Sequence, residues 1–202
     1  MSVLPWEGTV PILFARTRVA VGPRIHDAYL TRPDLAGSWP TIVLVAGDPT
    51  ASTRAFARRL ARHGVAVVVP LDGSPRTLDD VASFITNPAA DWSSAEHGFG
   101  ILGMGDCPDR DFRRAQAVAL IGCPLPRVSG PVLALYGDDD PAADQVEELR
   151  TALPQAEVVL YGGLGAGFHD DAAPGFDHAA SEDAVERLVE FFGATLPDAP
   201  VT

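Results

Sequence analysis

Short apolar runs alternate with amphipathic segments along most of this chain. Residues 41–46, Thr-Ile-Val-Leu-Val-Ala, form a continuous apolar run, as in a strand buried on both faces of a parallel sheet. Residues 53–63 have helical spacing, with Phe56, Leu60 and Ala61 on one side. Strands that alternate with helices favour a mostly parallel sheet with helices on both faces. Strands are predicted within 9–31 and at 41–46, 65–69, 100–102, 117–121, 131–136 and 157–161, and helices at 53–63, 77–85, about 109–118, 142–153 and 181–192.

A sharp turn is predicted at residues 103–107, where a buried strand runs towards the predicted helix at 109–118. Strand, tight turn and helix form the setting of a nucleophile elbow, Gly-x-Nu-x-Gly. The central position here is Gly105, which has no side chain. An elbow holds its central residue near positive φ, a conformation that glycine adopts at little cost. We therefore expect the turn to form without a nucleophile.

Several motifs occur in a characteristic order. They are 28–30 before Pro33, the helix–Gly–strand–Pro unit at 57–70, the turn at 103–107, Gly-Asp-Asp-Asp-Pro at 137–141 and the glycine-rich loop at 161–171. In this order and spacing the chain resembles the dienelactone hydrolase family over residues 28–196 or so. The resemblance implies an α/β-hydrolase fold, with a mostly parallel central sheet and helices on both faces. It also implies a single domain over 1–202, with a shortened lid between Pro70 and the turn.

Family members use a Cys or Ser nucleophile, a His base and an Asp, and each can be placed on this chain by motif. The nucleophile position corresponds to Gly105. The histidine, which directly precedes Gly-Phe in the family, corresponds to Ala166. The acid is retained as Asp140. A triad needs a nucleophile, a base and an orienting acid, so the resemblance implies that hydrolysis by this route is lost.

Three nearby side chains are candidate substitutes. Cys107 lies two residues beyond the nucleophile position, where it is either a small buried residue or a displaced nucleophile activated by the following helix. His169 lies three residues beyond Ala166 and is either a loop residue or a substitute base with Asp140 as its partner. Asp106 would oppose negative charge at the turn, or would pair with Asp140 as an acid/base site.

Charge and cysteine content limit the partners. The formal net charge is −12, and all 15 basic residues are arginine. An acidic surface repels phosphate backbones and anionic lipids, so we expect neither nucleic acid nor membrane as a partner. Cys107 and Cys123 make no disulfide framework, and the start of the chain does not resemble a signal peptide, so a cytoplasmic protein is expected.

No cofactor or metal is expected. The acidic residues near Asp140 do not have the spacing of a calcium loop, and the histidines outside the glycine-rich loop are scattered. A second copy of the chain could cover apolar surface exposed by the shortened lid, which makes a homodimer the oligomer to test.

Three functions are consistent with these residues. The first is a pseudoenzyme that binds a small carbonyl or lactone-like ligand, or a partner protein. The second is a repurposed catalyst of the cyclase, isomerase or lyase type, which would use Asp106, Asp140 or His169 without a covalent intermediate. The third is a residual ester or lactone hydrolase that uses Cys107.

Overall fold

The structure is a computed structural model, and it describes residues 8–72, 74–105, 107 and 111–196. Eight strands form one sheet in the order β1-β2-β4-β3-β5-β6-β7-β8. The strands are β1 Ile12–Val21, β2 Arg24–Pro33, β3 Thr41–Ala46, β4 Ala66–Pro70, β5 Gly100–Met104, β6 Ala117–Ile121, β7 Val132–Gly137 and β8 Glu157–Tyr161. The α-helices are α1 Ala51–Arg62, α2 Pro75–Ile85, α3 Val146–Ala152 and α4 His178–Thr195.

The sheet is parallel from β4 to β8 and antiparallel at its first edge. β1 pairs with β2, and β2 with β4, in antiparallel register, whereas β4, β3, β5, β6, β7 and β8 pair in parallel. The predicted mostly parallel sheet is therefore confirmed. Because parallel strands end at the same edge, the segments that follow β3, β5, β6, β7 and β8 meet there.

A hydrophobic core covers each face of the sheet. One core contains Phe56 of α1 and Phe192 of α4, and the other contains Ile85 of α2 and Leu149 of α3. Ile42 of β3 lies in the first core, and its neighbour Val43 lies in the second. Alternate residues of the central strands are thus buried in opposite cores, which explains why these strands read as unbroken apolar runs.

The prediction of a helix at about 109–118 is wrong over the described residues 111–118. That stretch contains turns, and β6 begins at Ala117. The backbone N–H of Phe112 donates to the carbonyl of Arg127, and that of Gln116 donates to the carbonyl of Phe99. These amides are bonded across the fold, so they are not available to the i→i−4 bonds of a helix. The ring of Phe112 is fully buried in the core on the α2 side.

The helix predicted at 142–153 forms in two parts. Residues Pro141–Gln145 are a 3-10 turn, and α3 starts only at Val146. The backbone N–H of Ala143 donates to the carbonyl of Asp140, which is the i→i+3 spacing of a 3-10 turn. The other three predicted helices are present, each extended at one or both ends relative to its prediction. No helix of the described part of the chain is long and apolar enough to cross a membrane.

Candidate functional site

The turn after β5 has the backbone that the sequence predicts. Gly105 has φ +62°, and its N–H donates to the carbonyl of Ile121 at 2.8 Å, which ties the turn to β6. An ideal Cβ placed on Gly105 would meet no heavy atom within 4 Å. The turn therefore has space for a side chain that the sequence does not supply.

Asp140 follows β7 and is buried, with 6% of the residue exposed. Its Oδ1 atom accepts a hydrogen bond from the N–H of Ala142 at 2.8 Å, which caps the 3-10 turn. Its Oδ2 atom lies beside Gly122, the residue that follows β6, and an ideal Cβ on Gly122 would be 2.8 Å from it. A glycine at 122 thus leaves room for the carboxylate.

A cavity of about 440 Å³, here called the Asp140 cavity, lies at this edge of the sheet. It brings together Gly105, Asp140, Ala166 and His169, which come from three different loops. Four of the residues singled out by sequence therefore share one cavity. Its other lining residues are Gly122, Pro124, Pro141, Ala142, Gln145 and Gly167.

A second cavity of about 250 Å³, here called the α1 cavity, lies between the start of α1 and the turn after β5. Gly105 and His169 line both cavities, so the two adjoin. Apolar walls come from Phe56 and Met104. The remaining lining residues are small or polar: Ala46, Gly47, Asp48, Thr50, Ser52, Thr53 and Asp170.

Hydroxyl groups mark the α1 side of this site. Thr50 caps α1, because its Oγ1 atom accepts from the N–H of Thr53 at 3.2 Å, and the two side-chain hydroxyls are 3.2 Å apart. The hydroxyl of Ser52 has no intramolecular hydrogen bond within the described residues. Ser52 is therefore open to a ligand in the α1 cavity.

His169 is a half-buried histidine among aromatic rings. Its ring meets Phe56 edge-on at 6.0 Å between centroids and Phe168 at 5.4 Å. Burial lowers the pKa of His169 to about 4, against a smaller opposing effect of the Asp170 charge. The Nδ1 atom is buried and has no hydrogen-bond partner within the described residues. His169 is accordingly neutral near pH 7 and is not hydrogen-bonded to Asp140.

The other two candidate substitutes lie elsewhere. Cys107 is 3% exposed and packs in the core on the α2 side, where its Sγ would be 3.3 Å from a Cβ on Gly103. It lines neither the Asp140 cavity nor the α1 cavity. Asp106 lies outside the described residues, so its pairing with Asp140 stays a prediction.

Sequence reasoning missed several lining residues, among them Gly122, Gln145, Ser52 and Thr50. Gly122 and Thr50 follow β6 and β3 closely, and position after a parallel strand is the signal that could have identified them. Gln145 and Ser52 had no such signal, since they reach the cavities only through the local geometry of the 3-10 turn and of α1. Within the described ranges, no three His, Cys, Asp or Glu side chains are grouped closely enough to hold a metal ion.

Comparison with solved structures defines the class of fold. A "Putative Dienelactone Hydrolase" from Klebsiella pneumoniae superposes with a TM-score of 0.76 at 22% identity, over 91% of this chain and 99% of that chain. The esterase of Pyrobaculum calidifontis superposes with a TM-score of 0.73 at 14% identity, over 93% of this chain and 87% of that one. The chain has the α/β-hydrolase fold that these proteins share.

Sequence comparison points to one family within that fold. Residues 124–196 match the model of the Dienelactone hydrolase family. A Salmonella typhimurium protein named "Putative carboxymethylenebutenolidase" is 38% identical over 71 residues, which is 32% of this chain and 26% of that protein. The chain thus matches about a quarter of the length of that curated relative.

Proposed function

We propose that this protein is a pseudoenzyme of the dienelactone hydrolase type, which binds a small carbonyl compound and does not hydrolyse it. One observation carries the proposal. Gly105, Asp140 and Ala166, the three positions that the family resemblance assigns to the triad, line one cavity, and only Asp140 has a side chain that can transfer or hold a proton.

Acyl transfer needs a nucleophile whose proton passes to an oriented base. Neither group is in place among the described residues that line the Asp140 cavity. Cys107 is buried in the core on the α2 side and does not line this cavity. His169 lines the cavity but makes no hydrogen bond to Asp140, so the acid does not orient its ring. Asp140 therefore acts as a fixed negative charge and as the cap of the 3-10 turn.

The residues that line the α1 cavity support the proposal that the protein binds a small ligand. Phe56 and Met104 offer apolar surface, and the Ser52 hydroxyl can donate to a carbonyl oxygen. The names of the similar proteins, dienelactone hydrolase and carboxymethylenebutenolidase, describe hydrolases of lactones. A lactone-like carbonyl compound is accordingly the ligand class we propose for this cavity.

Turnover of a simple activated ester and of a small lactone tests the proposal. The purified protein should match buffer alone, and so should the Cys107→Ala and Asp140→Asn variants. Turnover by the wild type that disappears in Cys107→Ala would overturn the proposal and assign the nucleophile to Cys107. Turnover that disappears only in Asp140→Asn would overturn it in favour of another nucleophile near the acid.

Binding is tested separately, by calorimetric titration of a small lactone into the wild type and into Ser52→Ala. We expect saturable binding by the wild type that is weaker in Ser52→Ala by about threefold to tenfold, as for one lost neutral hydrogen bond. Ser83→Ala is the matched control, because Ser83 lies on α2 and its hydroxyl bonds the carbonyl of Asp79. Equal affinity in all three proteins would exclude Ser52 from the ligand site.

Acid–base catalysis without a covalent intermediate is a second candidate, favoured by His169. A neutral imidazole and a carboxylate line the same cavity, and such a pair can move a proton in an isomerisation or an elimination. The base-catalysed ring opening of a benzisoxazole is a suitable probe. Activity that is lost in both His169→Gln and Asp140→Asn would support this function, whereas a rate equal to that of buffer would exclude it for this probe.

A further inference from the structure

The Oδ2 atom of Asp140 is an acceptor with no donor within the described part of the chain. Oδ1 is occupied by the N–H of Ala142, and no other hydrogen bond or ion pair reaches this carboxylate. Asp140 is more than nine-tenths buried, and it lines the Asp140 cavity together with the glycine that makes room for Oδ2. Asp140 is thus a nearly buried side chain whose Oδ2 atom still reaches the cavity, so a donor that enters the cavity can bind it.

The charges around the cavity favour a cation as that donor. None of the residues that line it is an arginine, and the chain has no lysine. The segment that carries Asp140 also contains Asp138, Asp139 and Asp144, which are exposed. A negative local field attracts cations and repels anions, so an N–H donor with positive charge fits better than a neutral or an anionic group.

The walls favour a small and flat group. Pro124, Pro141, Ala142 and Ala166 present short apolar side chains, and Gly105 and Gly122 present bare backbone. A planar nitrogen cation can pack against such walls while one N–H points at the carboxylate. A charge-assisted hydrogen bond of this kind is about twice as strong as a neutral one.

We propose that the Asp140 cavity is a binding site for a small planar organic cation with an N–H donor, of the imidazolium or amidinium class, which donates to Asp140 Oδ2. This inference rests on the proposed function, because it places a second, cationic group of the ligand beside the carbonyl held in the α1 cavity. Gly105 and His169 lie between the two groups.

Imidazole is the probe, titrated by calorimetry at about pH 6, where most of it is cationic. We expect saturable binding that is weakened about tenfold or more in Asp140→Asn. The asparagine keeps an oxygen for the Ala142 N–H, so the fold should persist. Asp139→Asn is the matched control. It removes the same charge at the preceding residue, whose side chain is exposed and lies outside the cavity. We expect the affinity of this variant for imidazole to stay within about twofold of wild type.

Two further measurements locate the ligand. Ala166→Phe should abolish binding, because Ala166 lines the cavity at an exposed position, where a phenyl ring would occupy part of the cavity volume. Tetramethylammonium, a cation without an N–H, should not compete with imidazole. Absence of saturable imidazole binding, equal losses in Asp140→Asn and Asp139→Asn, or full binding by Ala166→Phe would each overturn the inference. Ester or lactone turnover by the wild type would instead overturn the proposed function, so the two failures are distinguishable.

Discussion

The Oδ2 atom of Asp140 occupies the space in which a side chain at Gly122 would begin. An ideal Cβ at 122 would lie 2.8 Å from that oxygen, closer than real Cβ contacts come, and the backbone of Gly122 has φ +56°. Gly122, which directly follows β6, and Asp140, three residues beyond the end of β7, are therefore matched to each other, although they are 18 positions apart. This pairing is what allows a carboxylate to be buried at the floor of the cavity.

We expect Gly122→Ala to destabilise the protein by roughly 2–3 kcal/mol, because the methyl group adds a clash with the carboxylate to the strain of a positive φ. The measurement is the free energy of unfolding in urea. Gly163→Ala is the control, since Gly163 has φ +72° but nothing within 4 Å of an ideal Cβ. That variant should lose only about 1 kcal/mol, the cost of the conformation itself. Equal losses would show that the Asp140 carboxylate moves aside freely.

Restoring the missing groups should restore chemistry. The double variant Gly105→Cys with Ala166→His should hydrolyse an activated ester, because position 105 has open space at the turn and position 166 lines the same cavity as Asp140. Adding Asp140→Asn should lower its rate by about a hundredfold or more, since the acid orients the base. The measurement is initial rate against each single variant.

Failure of that double variant to exceed its single variants would count against the assignment of positions 105 and 166 to the triad. A rate that does not change on adding Asp140→Asn would show that the new histidine is not oriented by this acid.

The imidazole of His169 should titrate at about pH 4, because burial disfavours its charged form. Proton NMR of the ring across an acid titration measures this directly. Asp170→Asn should lower the pKa further, since the Asp170 charge opposes the effect of burial. A pKa near the ordinary value of about 6.5 would mean that the ring is solvated.

The same shift predicts a pH dependence of stability. The folded pKa is depressed, so the unfolded chain binds the proton more readily than the folded one. The contribution of the neutral His169 ring to the free energy of unfolding is therefore complete above about pH 6.5 and decreases as pH falls towards about 4. His169→Phe should therefore show a smaller loss of unfolding free energy than the wild type over that interval.

A second pH dependence comes from Asp80 on α2. Two hydrogen bonds of 2.6 Å from Arg24, and a contact of 2.7 Å with His26, hold the pKa of Asp80 well below its usual range, against the opposing effect of burial. A depressed carboxyl pKa stabilises the folded state above the unfolded value of about 4, and the contribution is lost as pH falls below it. Asp80→Asn should therefore lower the urea midpoint at neutral pH by more than it does at about pH 3.

Asp79→Asn is the control for that measurement. Asp79 is exposed, and its only ion pair within the described residues is a 3.4 Å contact between its carboxylate and the guanidinium of Arg114. It should change the midpoint little at either pH, as is usual for surface ion pairs. An Asp80→Asn effect of the same size at both pH values would show that the ion pair does not stabilise the fold.

Most of the fold could be predicted from the sequence, because each element satisfies its own local pattern. The buried strand β3 is an unbroken apolar run, and α1 has a clear apolar side, so both were predicted within a few residues. The turns at 111–116 were not predicted, because the amides of Phe112 and Gln116 donate to the carbonyls of Arg127 and Phe99, which are distant in sequence. Local sequence patterns do not contain information about hydrogen bonds to distant residues, so they cannot predict such a segment.

The sequence predicted several of the residues that form the candidate site, but it did not predict how they are arranged. The sequence by itself determined that Gly105 and Ala166 have no reactive side chain and that Asp140 follows a strand, since composition and order are properties of the chain. Only the tertiary structure decided that these residues share a cavity with His169, that Cys107 is packed away from it, and that Gly122 makes room for the carboxylate. The physical reason is that parallel strands carry distant loops to one edge, where burial and close approach depend on all of them together.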